Sequence, residues 1–153
     1  MFSTAGICRP WRFNILSVPE RFCVVTIVAA AFQPPEMVKA RPAIVISPRL
    51  PHRDGLCTVV PISSDAGEHD VEYVVRLEFK PPLPEPYSYA VAWAKCDMLA
   101  TVSFNRLDLF RTARDQYGKR MYLHPKLPAS DLDRVIAGVL FALGMGHLTL
   151  TSE

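Results

Sequence analysis

The chain has 153 residues, of which half are hydrophobic and 21% are charged, and its formal net charge is only +2. This composition predicts one globular domain with a hydrophobic core. It excludes a disordered chain and a strongly basic, histone-like nucleic-acid binder, although a local basic patch is compatible with it. The 14 prolines favour strands and loops over long helices.

The cysteines and histidines do not form a metal-binding pattern. Four of each are scattered along the chain without CxxC or comparable spacing, so neither a metal site nor a cofactor is predicted. Cys57 and Cys96 each lie in an apolar, strand-like run, which predicts buried and reduced thiols. Reduced thiols fit a cytoplasmic protein.

The amino-terminal region has two open interpretations. Residues 1–20 show no clear period, and we interpret them as an irregular or disordered extension. Residues 22–31 are apolar and rich in β-branched side chains, which predicts a first core strand. The alternative is the hydrophobic region of a signal peptide with a cleavage site at Ala29–Ala31. The run is too short to span a bilayer as a helix.

Two further apolar runs, residues 42–47 and 56–63, carry polar residues at their ends. Both are bounded by Pro, Gly or Ser and predict buried strands. Arg41 precedes the first run and Ser63 ends the second, so antiparallel pairing would bring a cation and a hydroxyl to one end of the sheet. Such a pair suits phosphate binding. The residues alone leave open a solvated charge at Arg41 and a turn-capping hydroxyl at Ser63.

The middle of the chain predicts more strands. Apolar and charged residues alternate over 70–79, which indicates a strand with one buried face. Strands are also expected over 87–96 and 98–105, followed by a charged turn region over 106–120. Within this part, Lys95 and Asp97 are spaced i and i+2 and are expected on one face of a strand. They are compatible with an acid–base couple or with a surface ion pair.

The end of the chain changes to a helical period. Ser130 is the expected N-cap, and Gly144 and Gly146 are the expected stop. The apolar stripe between them consists of Leu132, Val135, Ile136, Val139, Leu140 and Leu143. Several short strands followed by one amphipathic helix predict a mainly β fold with a small barrel or curled sheet and a C-terminal helix.

Taken in chain order, these segments resemble the PemK/MazF family of toxin–antitoxin ribonucleases. Residues 39–47 resemble its signature of Arg-Pro, an apolar run and Ser, and residues 55–64 its signature of an apolar run, Pro, an apolar residue and Ser/Thr. Residues 91–97 resemble the strand that carries a cation and an aspartate. The resemblance implies an SH3-like small β-barrel of the CcdB/PemK type over residues 21–148, with a short tail over 149–153.

The same resemblance implies a chemistry and residue roles. Family members cleave single-stranded RNA, including mRNA, without a metal, through attack of the 2′-hydroxyl on its own phosphodiester to give a 2′,3′-cyclic phosphate. Arg41 would stabilise the phosphorane or donate a proton, and Ser63 would position the reacting groups. Asp97 would be the general base, and Lys95 the acid or a phosphate ligand. The residues expected to bind RNA are Lys39, Arg53 and Ser64.

The implied partners are single-stranded RNA, a cognate antitoxin protein and a second copy of the chain, in the cytoplasm and away from membranes. Two departures keep other functions open: Lys95 stands where the family has Arg, and residues 21–24 stand where it usually has Gly and an acidic residue. The alternatives are a catalytically degenerate barrel that binds protein or RNA, and a toxin directed at DNA gyrase, as in a related barrel family.

Overall fold

The computed structural model describes residues 24–27, 32–48 and 51–148. Residues 1–20, the flanks of the predicted first strand and the tail therefore lie outside the described residues. In the described part, the strands are β1 (Val24–Ile27), β2 (Arg41–Val45), β3 (Leu56–Ser63), β4 (Val74–Glu78), β5 (Val91–Lys95), β6 (Ala100–Ser103), β7 (Leu107–Asp108), β8 (Phe110–Arg114) and β9 (Arg120–Leu123). They are followed by helix α1 (Ala129–Ala142).

Strand β3 connects the two halves of a curled antiparallel sheet. The strand order is β4-β5-β3-β2-β1-β7, and β6 also pairs with β3. The first four residues of β3 pair with β6, whereas Ile62 and Ser63 at its end pair with β5. Because one long strand takes part in both halves, the sheet bends into a barrel-like fold. The predicted class, a small β-barrel with a C-terminal helix, is confirmed.

The central strands are buried on both faces. Val24, Ile44 and Val60 belong to one hydrophobic cluster, which also packs against α1. Their neighbours Val25 and Val59 belong to a second cluster on the opposite face, closed by β6 and β7. Burial on both faces explains why these strands read as continuous apolar runs. By contrast, β4 alternates between buried and exposed residues, as its sequence predicts.

Helix α1 begins earlier than its sequence predicts. The residue at the N-cap position is Pro128, whose carbonyl accepts the first helical hydrogen bond from the Leu132 N–H at 3.1 Å. The prediction of Ser130 as N-cap is therefore wrong, because the fixed φ of Pro128 sets the N-cap two residues earlier and Ser130 already lies in the first turn of the helix. The apolar stripe is buried at Leu132 and Val135, but Leu143 is 55% exposed.

The region over 106–120, predicted to be a charged turn region, contains β7, β8 and the charged turn of a hairpin whose second strand is β9. Strands β8 and β9 pair with each other, and the turn between them is closed by the Asp115 carboxylate, which accepts the backbone N–H of Tyr117 and Lys119. Gly118, with φ of +77°, allows the chain to reverse. Exposed arginines such as Arg111 and Arg120 weaken the period-2 pattern by which a strand is recognised.

The predicted burial of two thiols is confirmed in the described residues. Cys57 and Cys96 are buried free thiols, as expected from their apolar surroundings. No helix in the described ranges is long and apolar enough to cross a membrane.

Candidate active site

The predicted meeting of Arg41 and Ser63 is confirmed by the register of β2 and β3. Ala43 lies opposite Pro61, and continuing this pairing by two residues brings Arg41 opposite Ser63. The Nη1 of Arg41 donates a hydrogen bond of 3.3 Å to Ser63 Oγ. Ser63 is only 4% exposed, so this bond joins a half-buried cation to a buried hydroxyl.

The Ser63 hydroxyl also organises the loop that follows β3. Its Oγ accepts the backbone N–H of Asp65 at 3.1 Å, and the Asp65 carboxylate accepts the N–H of Gly67 at 2.9 Å. Two donors therefore occupy the lone pairs of one hydroxyl oxygen. This geometry fixes the Ser63 hydroxyl beside the Arg41 guanidinium.

Arg41 lies at the wall of a pocket of about 300 Å³, which we call the Arg41 pocket. Asp97 lines the same pocket, together with apolar residues that include Phe32, Met37 and Leu99. The Nε of Arg41 is buried and has no hydrogen-bond partner within the described residues. Unpaired buried donors are rare in folded proteins and often mark functional sites. A guanidinium at the wall of a pocket is suited to binding an anion.

Lys95 and Asp97 do not share a strand face, so that prediction is wrong. Strand β5 ends at Lys95, and the chain turns into a short 3₁₀ helix, Cys96–Met98. The turn sends the two side chains to different places. Lys95 Nζ donates a hydrogen bond of 3.0 Å to the carbonyl of Ala66, in the loop after Ser63. The Asp97 side chain, by contrast, is exposed and lines the Arg41 pocket.

The strand breaks at Cys96 because this residue is held under helix α1. The Cys96 N–H donates to the carbonyl of Tyr73 at 2.9 Å, and its Sγ lies 3.5 Å from the Val135 carbonyl. A Cβ on Gly138 would lie only 2.9 Å from that sulfur, so the glycine permits the close approach. Burial, and then the charge of Asp97, raise the pKa of the Cys96 thiol to about 12. The helix thereby fixes the turn that presents Asp97.

The residues predicted to bind RNA are not all brought together. Lys39 lines the Arg41 pocket, and Ser64 is exposed directly after Ser63. Arg53 is exposed in the turn before β3, at the opposite end of that strand. The two ends of β3 are seven residue-to-residue steps apart, which corresponds to roughly 23 Å. Arg53 is thus distant from the pocket, and its RNA-binding role stays a prediction.

Sequence reasoning missed three contributors to the site. Phe32 and Met37 line the pocket although they come from the segment before β2, and Gly138 seats the Asp97 turn from the distant helix. A glycine inside an apolar helical stripe is a signal of close packing that the sequence did contain. No group of three His, Cys, Asp or Glu residues in the described ranges is arranged to hold a metal ion.

The chain is similar to known proteins both in sequence and in fold. A family model described as the PemK-like, MazF-like toxin of type II toxin–antitoxin systems matches residues 21–137. The protein YifN of Escherichia coli (strain K12) is 27% identical over 118 residues, which are 73% of this chain and 74% of that protein.

Solved structures show the same fold. MazF from Deinococcus radiodurans superposes with a TM-score of 0.56 at 21% identity, covering 84% of this chain and 98% of that one. An endoribonuclease from a mycobacterial species, solved with its cognate antitoxin, gives 0.53 at 14% identity, covering 84% and 95%. The structural likeness concerns the fold, and the family model covers most of the sequence. The chain therefore belongs to the family of PemK-like, MazF-like toxins of type II toxin–antitoxin systems.

Proposed function

We propose that the protein is the toxin of a type II toxin–antitoxin pair and acts in the cytoplasm as an endoribonuclease on single-stranded RNA. The observation that carries this proposal is the hydrogen bond from Arg41 to the buried Ser63 hydroxyl beside a pocket that also contains Asp97. A cation and a carboxylate at one pocket are what 2′-hydroxyl attack on a phosphodiester requires.

In the proposed reaction, Asp97 takes the proton of the 2′-hydroxyl, and the 2′ oxygen forms a bond to phosphorus. Arg41 stabilises the negative charge that develops on the phosphoryl oxygens, and Ser63 keeps the guanidinium in place. The bond from phosphorus to the 5′ oxygen then breaks, and that oxygen takes a proton from solvent. The products are a 2′,3′-cyclic phosphate and a 5′-hydroxyl.

Lys95 has a positioning role in this proposal. Its ammonium is bound to the Ala66 carbonyl, so it ties β5 to the loop that Ser63 organises. The roles of acid and phosphate ligand remain predictions for this residue. Replacement of Lys95 by Arg tests them, since Arg keeps the charge but is a far weaker acid.

The direct experiment is incubation of the protein with single-stranded RNA in EDTA, followed by mapping of the product ends. Cleavage with cyclic phosphate and 5′-hydroxyl ends is expected for the wild type and not for Arg41→Ala. Lys80→Ala is the matched control, since the Lys80 side chain is 86% exposed and pairs with Glu78 away from the pocket. No cleavage by the wild type, or equal cleavage by Arg41→Ala, would contradict the proposal.

We also propose that the protein forms a homodimer and is neutralised by an antitoxin. The supporting observation for the antitoxin is the structural likeness to an endoribonuclease solved with its cognate antitoxin. Analytical ultracentrifugation at micromolar concentration is expected to show a dimer. A monomer throughout that range would contradict the homodimer.

A non-catalytic binding module is the second candidate. It is favoured by one observation: Lys95, at the position where the family has Arg, is engaged with the Ala66 carbonyl. Expression of the chain separates the two. Growth arrest that Arg41→Ala relieves supports the nuclease, whereas harmless expression with unchanged cellular RNA supports the binding module.

A further inference from the structure

The β8–β9 hairpin takes no part in the site described above, yet it concentrates positive charge. Between its first and last residues it has one carboxylate, Asp115, and four cations: Arg111, Arg114, Lys119 and Arg120. The net charge of this segment, +3, exceeds the +2 of the whole chain. Positive charge concentrated on one surface element attracts polyanions such as nucleic acids.

The hairpin is held at its base and at its tip. At the base, Phe110 is 3% exposed, and Tyr122 packs against the hydrophobic cluster that β6 and β7 close. At the tip, the Asp115 carboxylate accepts two backbone N–H groups, and Arg114 Nη1 donates a hydrogen bond of 3.0 Å to the Gly118 carbonyl. Cations on an element organised in this way lose little conformational freedom when a ligand binds.

Two of the cations are placed against each other. Arg114 lies directly opposite Arg120 in the register of the two strands, and both are exposed. Like charges directly opposite each other on an antiparallel pair are destabilising. Arg111 is paired with the Asp108 carboxylate at 2.6 Å, but neither Arg120 nor Lys119 is paired with a carboxylate of the described residues. An anion bound between the two arginines would remove their repulsion.

An aromatic side chain accompanies these cations at the tip of the hairpin. Tyr117 is 85% exposed, which leaves the ring available for stacking. Cations that follow the phosphates, with an exposed aromatic ring that stacks on a base, are the combination by which proteins bind single-stranded nucleic acids. An acidic peptide would pair with the cations but would not account for the exposed ring. The combination therefore favours RNA over an acidic protein segment.

We propose that the β8–β9 hairpin is a second RNA-binding site, at which Arg114 and Arg120 bind phosphates of the substrate outside the Arg41 pocket and Tyr117 stacks on a base. This inference rests on the proposed function, because it names where the same strand is held beyond the cleavage site. The hairpin directly follows edge strand β7, whose Leu107 pairs with Ile27 at the wall of the Arg41 pocket. A strand that extends from the pocket over this edge of the sheet meets the hairpin.

Binding of an RNA that cannot be cleaved tests the inference. A fluorescent 2′-O-methyl RNA of about 15 nucleotides, whose 2′ oxygens are blocked, is titrated with the full chain at several salt concentrations and followed by anisotropy. In the double variant Arg114→Gln/Arg120→Gln, the slope of the logarithm of the binding constant against the logarithm of the salt concentration is expected to be shallower by about 1.4, for two phosphates. From about 50 to 200 mM salt, the wild type should then lose about sevenfold more affinity than the variant loses.

Two further variants separate charge from position and phosphate from base. Arg76→Gln/Arg134→Gln removes the same charge at exposed arginines of β4 and α1, and is expected to keep the wild-type slope. Tyr117→Ala is expected to weaken RNA binding by about tenfold without changing the slope, because stacking on an aromatic ring does not depend on salt as phosphate contacts do.

The stability of Arg120→Gln tests the argument from repulsion. The single variant is expected to raise the urea concentration at the midpoint of unfolding while it weakens RNA binding, since it removes one of two opposed like charges. A lowered midpoint would show that the arginine is kept for the fold and would overturn the inference. Arg120→Gln also replaces the double variant in the binding test if circular dichroism shows that variant unfolded.

The outcomes distinguish this inference from the nuclease proposal. A protein that fails to cut RNA in EDTA but binds the 2′-O-methyl RNA through the hairpin loses the nuclease proposal and keeps the second RNA-binding site. Equal salt slopes in the two double variants overturn that site. If the hairpin variant binds RNA as the wild type does but no longer binds poly-glutamate, the hairpin recognises an acidic protein segment and the inference is wrong.

Discussion

The two ends of the β2–β3 pair look alike in sequence but differ in structure. At the end we call the loop end, Ser47 Oγ accepts the backbone N–H of Thr58 at 2.9 Å. At the opposite end, which we call the site end, Ser63 Oγ accepts from the Arg41 guanidinium and from the Asp65 N–H. Strand β2 is thus followed by Ser47, and strand β3 ends at Ser63. Of these two serines, Ser63 is the one that contacts a charged side chain.

The difference shows that the partner of a strand-end hydroxyl decides its role. Ser47 completes the backbone pairing of the hairpin, in which the Thr58 carbonyl also accepts the N–H of Ile46. At the site end, the Arg41 Nε remains buried without a partner in the described residues. Leaving a buried donor unpaired costs free energy. At the loop end the serine hydroxyl therefore completes the backbone pairing, whereas at the site end it binds a charged side chain that borders the Arg41 pocket.

The largest expected effect is a difference between Arg41, at the site end, and Arg53, near the loop end. Arg41→Ala is expected to lower the single-turnover rate of RNA cleavage by about 10²–10³-fold, the usual effect of losing one group that stabilises developing charge. Arg53→Ala, near the loop end, is expected to weaken RNA binding equally for all sequences. The slope of the logarithm of the binding constant against the logarithm of the salt concentration is expected to become shallower by about one, as for the loss of one phosphate contact. Equal losses of the cleavage rate in both variants would contradict the distinction.

The second prediction asks whether the site end depends on the helix. Gly138→Ala is expected to lower the free energy of unfolding by about 1–3 kcal/mol, because the new methyl group would overlap Cys96 Sγ, 2.9 Å away, and Val75 Cγ2, 3.1 Å away. Urea unfolding measures the change. The double variant with Cys96→Ala is expected to recover part of the loss, since the sulfur is then absent. Unchanged stability of Gly138→Ala would show that the turn before Asp97 is not fixed by α1.

The third prediction compares the serines directly. Ser47→Ala and Ser63→Ala are each expected to cost about 1 kcal/mol of unfolding free energy, since each removes a hydrogen-bond acceptor. Only Ser63→Ala is expected to slow RNA cleavage, by about tenfold, because hydrogen bonds to a charged group are worth about 1.5–3 kcal/mol. Urea melts and cleavage assays on the same preparations check both parts. A comparable loss of cleavage in Ser47→Ala would remove the contrast.

The smallest expected effect concerns pH. Burial raises the pKa of Cys57, near the loop end, to about 11. A raised native pKa contributes stability that is full below the unfolded pKa near 9 and is lost as pH rises towards 11, because the unfolded state releases its proton first. The loss at pH 10 is about 1 kcal/mol for one thiol. Urea melts from pH 8 to pH 10 should therefore show a smaller decline in Cys57→Ala than in the wild type.

The local patterns of the sequence were sufficient for most of the fold. The strand predicted over 56–63 is found at Leu56–Ser63, and the first core strand is found at Val24–Ile27 within the predicted run. Apolar runs bounded by turn residues depend little on distant neighbours, so they can be recognised in isolation. The same patterns placed Arg41 and Ser63 at one end of the sheet, because antiparallel pairing relates the start of one strand to the end of the next.

Other features depended on contacts between distant segments. The 3₁₀ turn at Cys96–Met98 exists because Cys96 is buried under α1, which begins more than 30 residues later in the sequence. The β8–β9 hairpin carries too many exposed arginines for its period to be recognised. The ring of Phe32, which lines the Arg41 pocket, is in contact with Arg106, more than 70 residues later in the sequence.

The sequence by itself determined a barrel of short strands closed by a helix and a meeting of Arg41 with Ser63, because strand periodicity and antiparallel order are local properties. Only the tertiary structure decided that Asp97 turns towards the Arg41 pocket while Lys95 turns to the Ala66 carbonyl. That separation depends on one close approach between a cysteine and a helical glycine, which is a matter of packing between residues far apart in the chain.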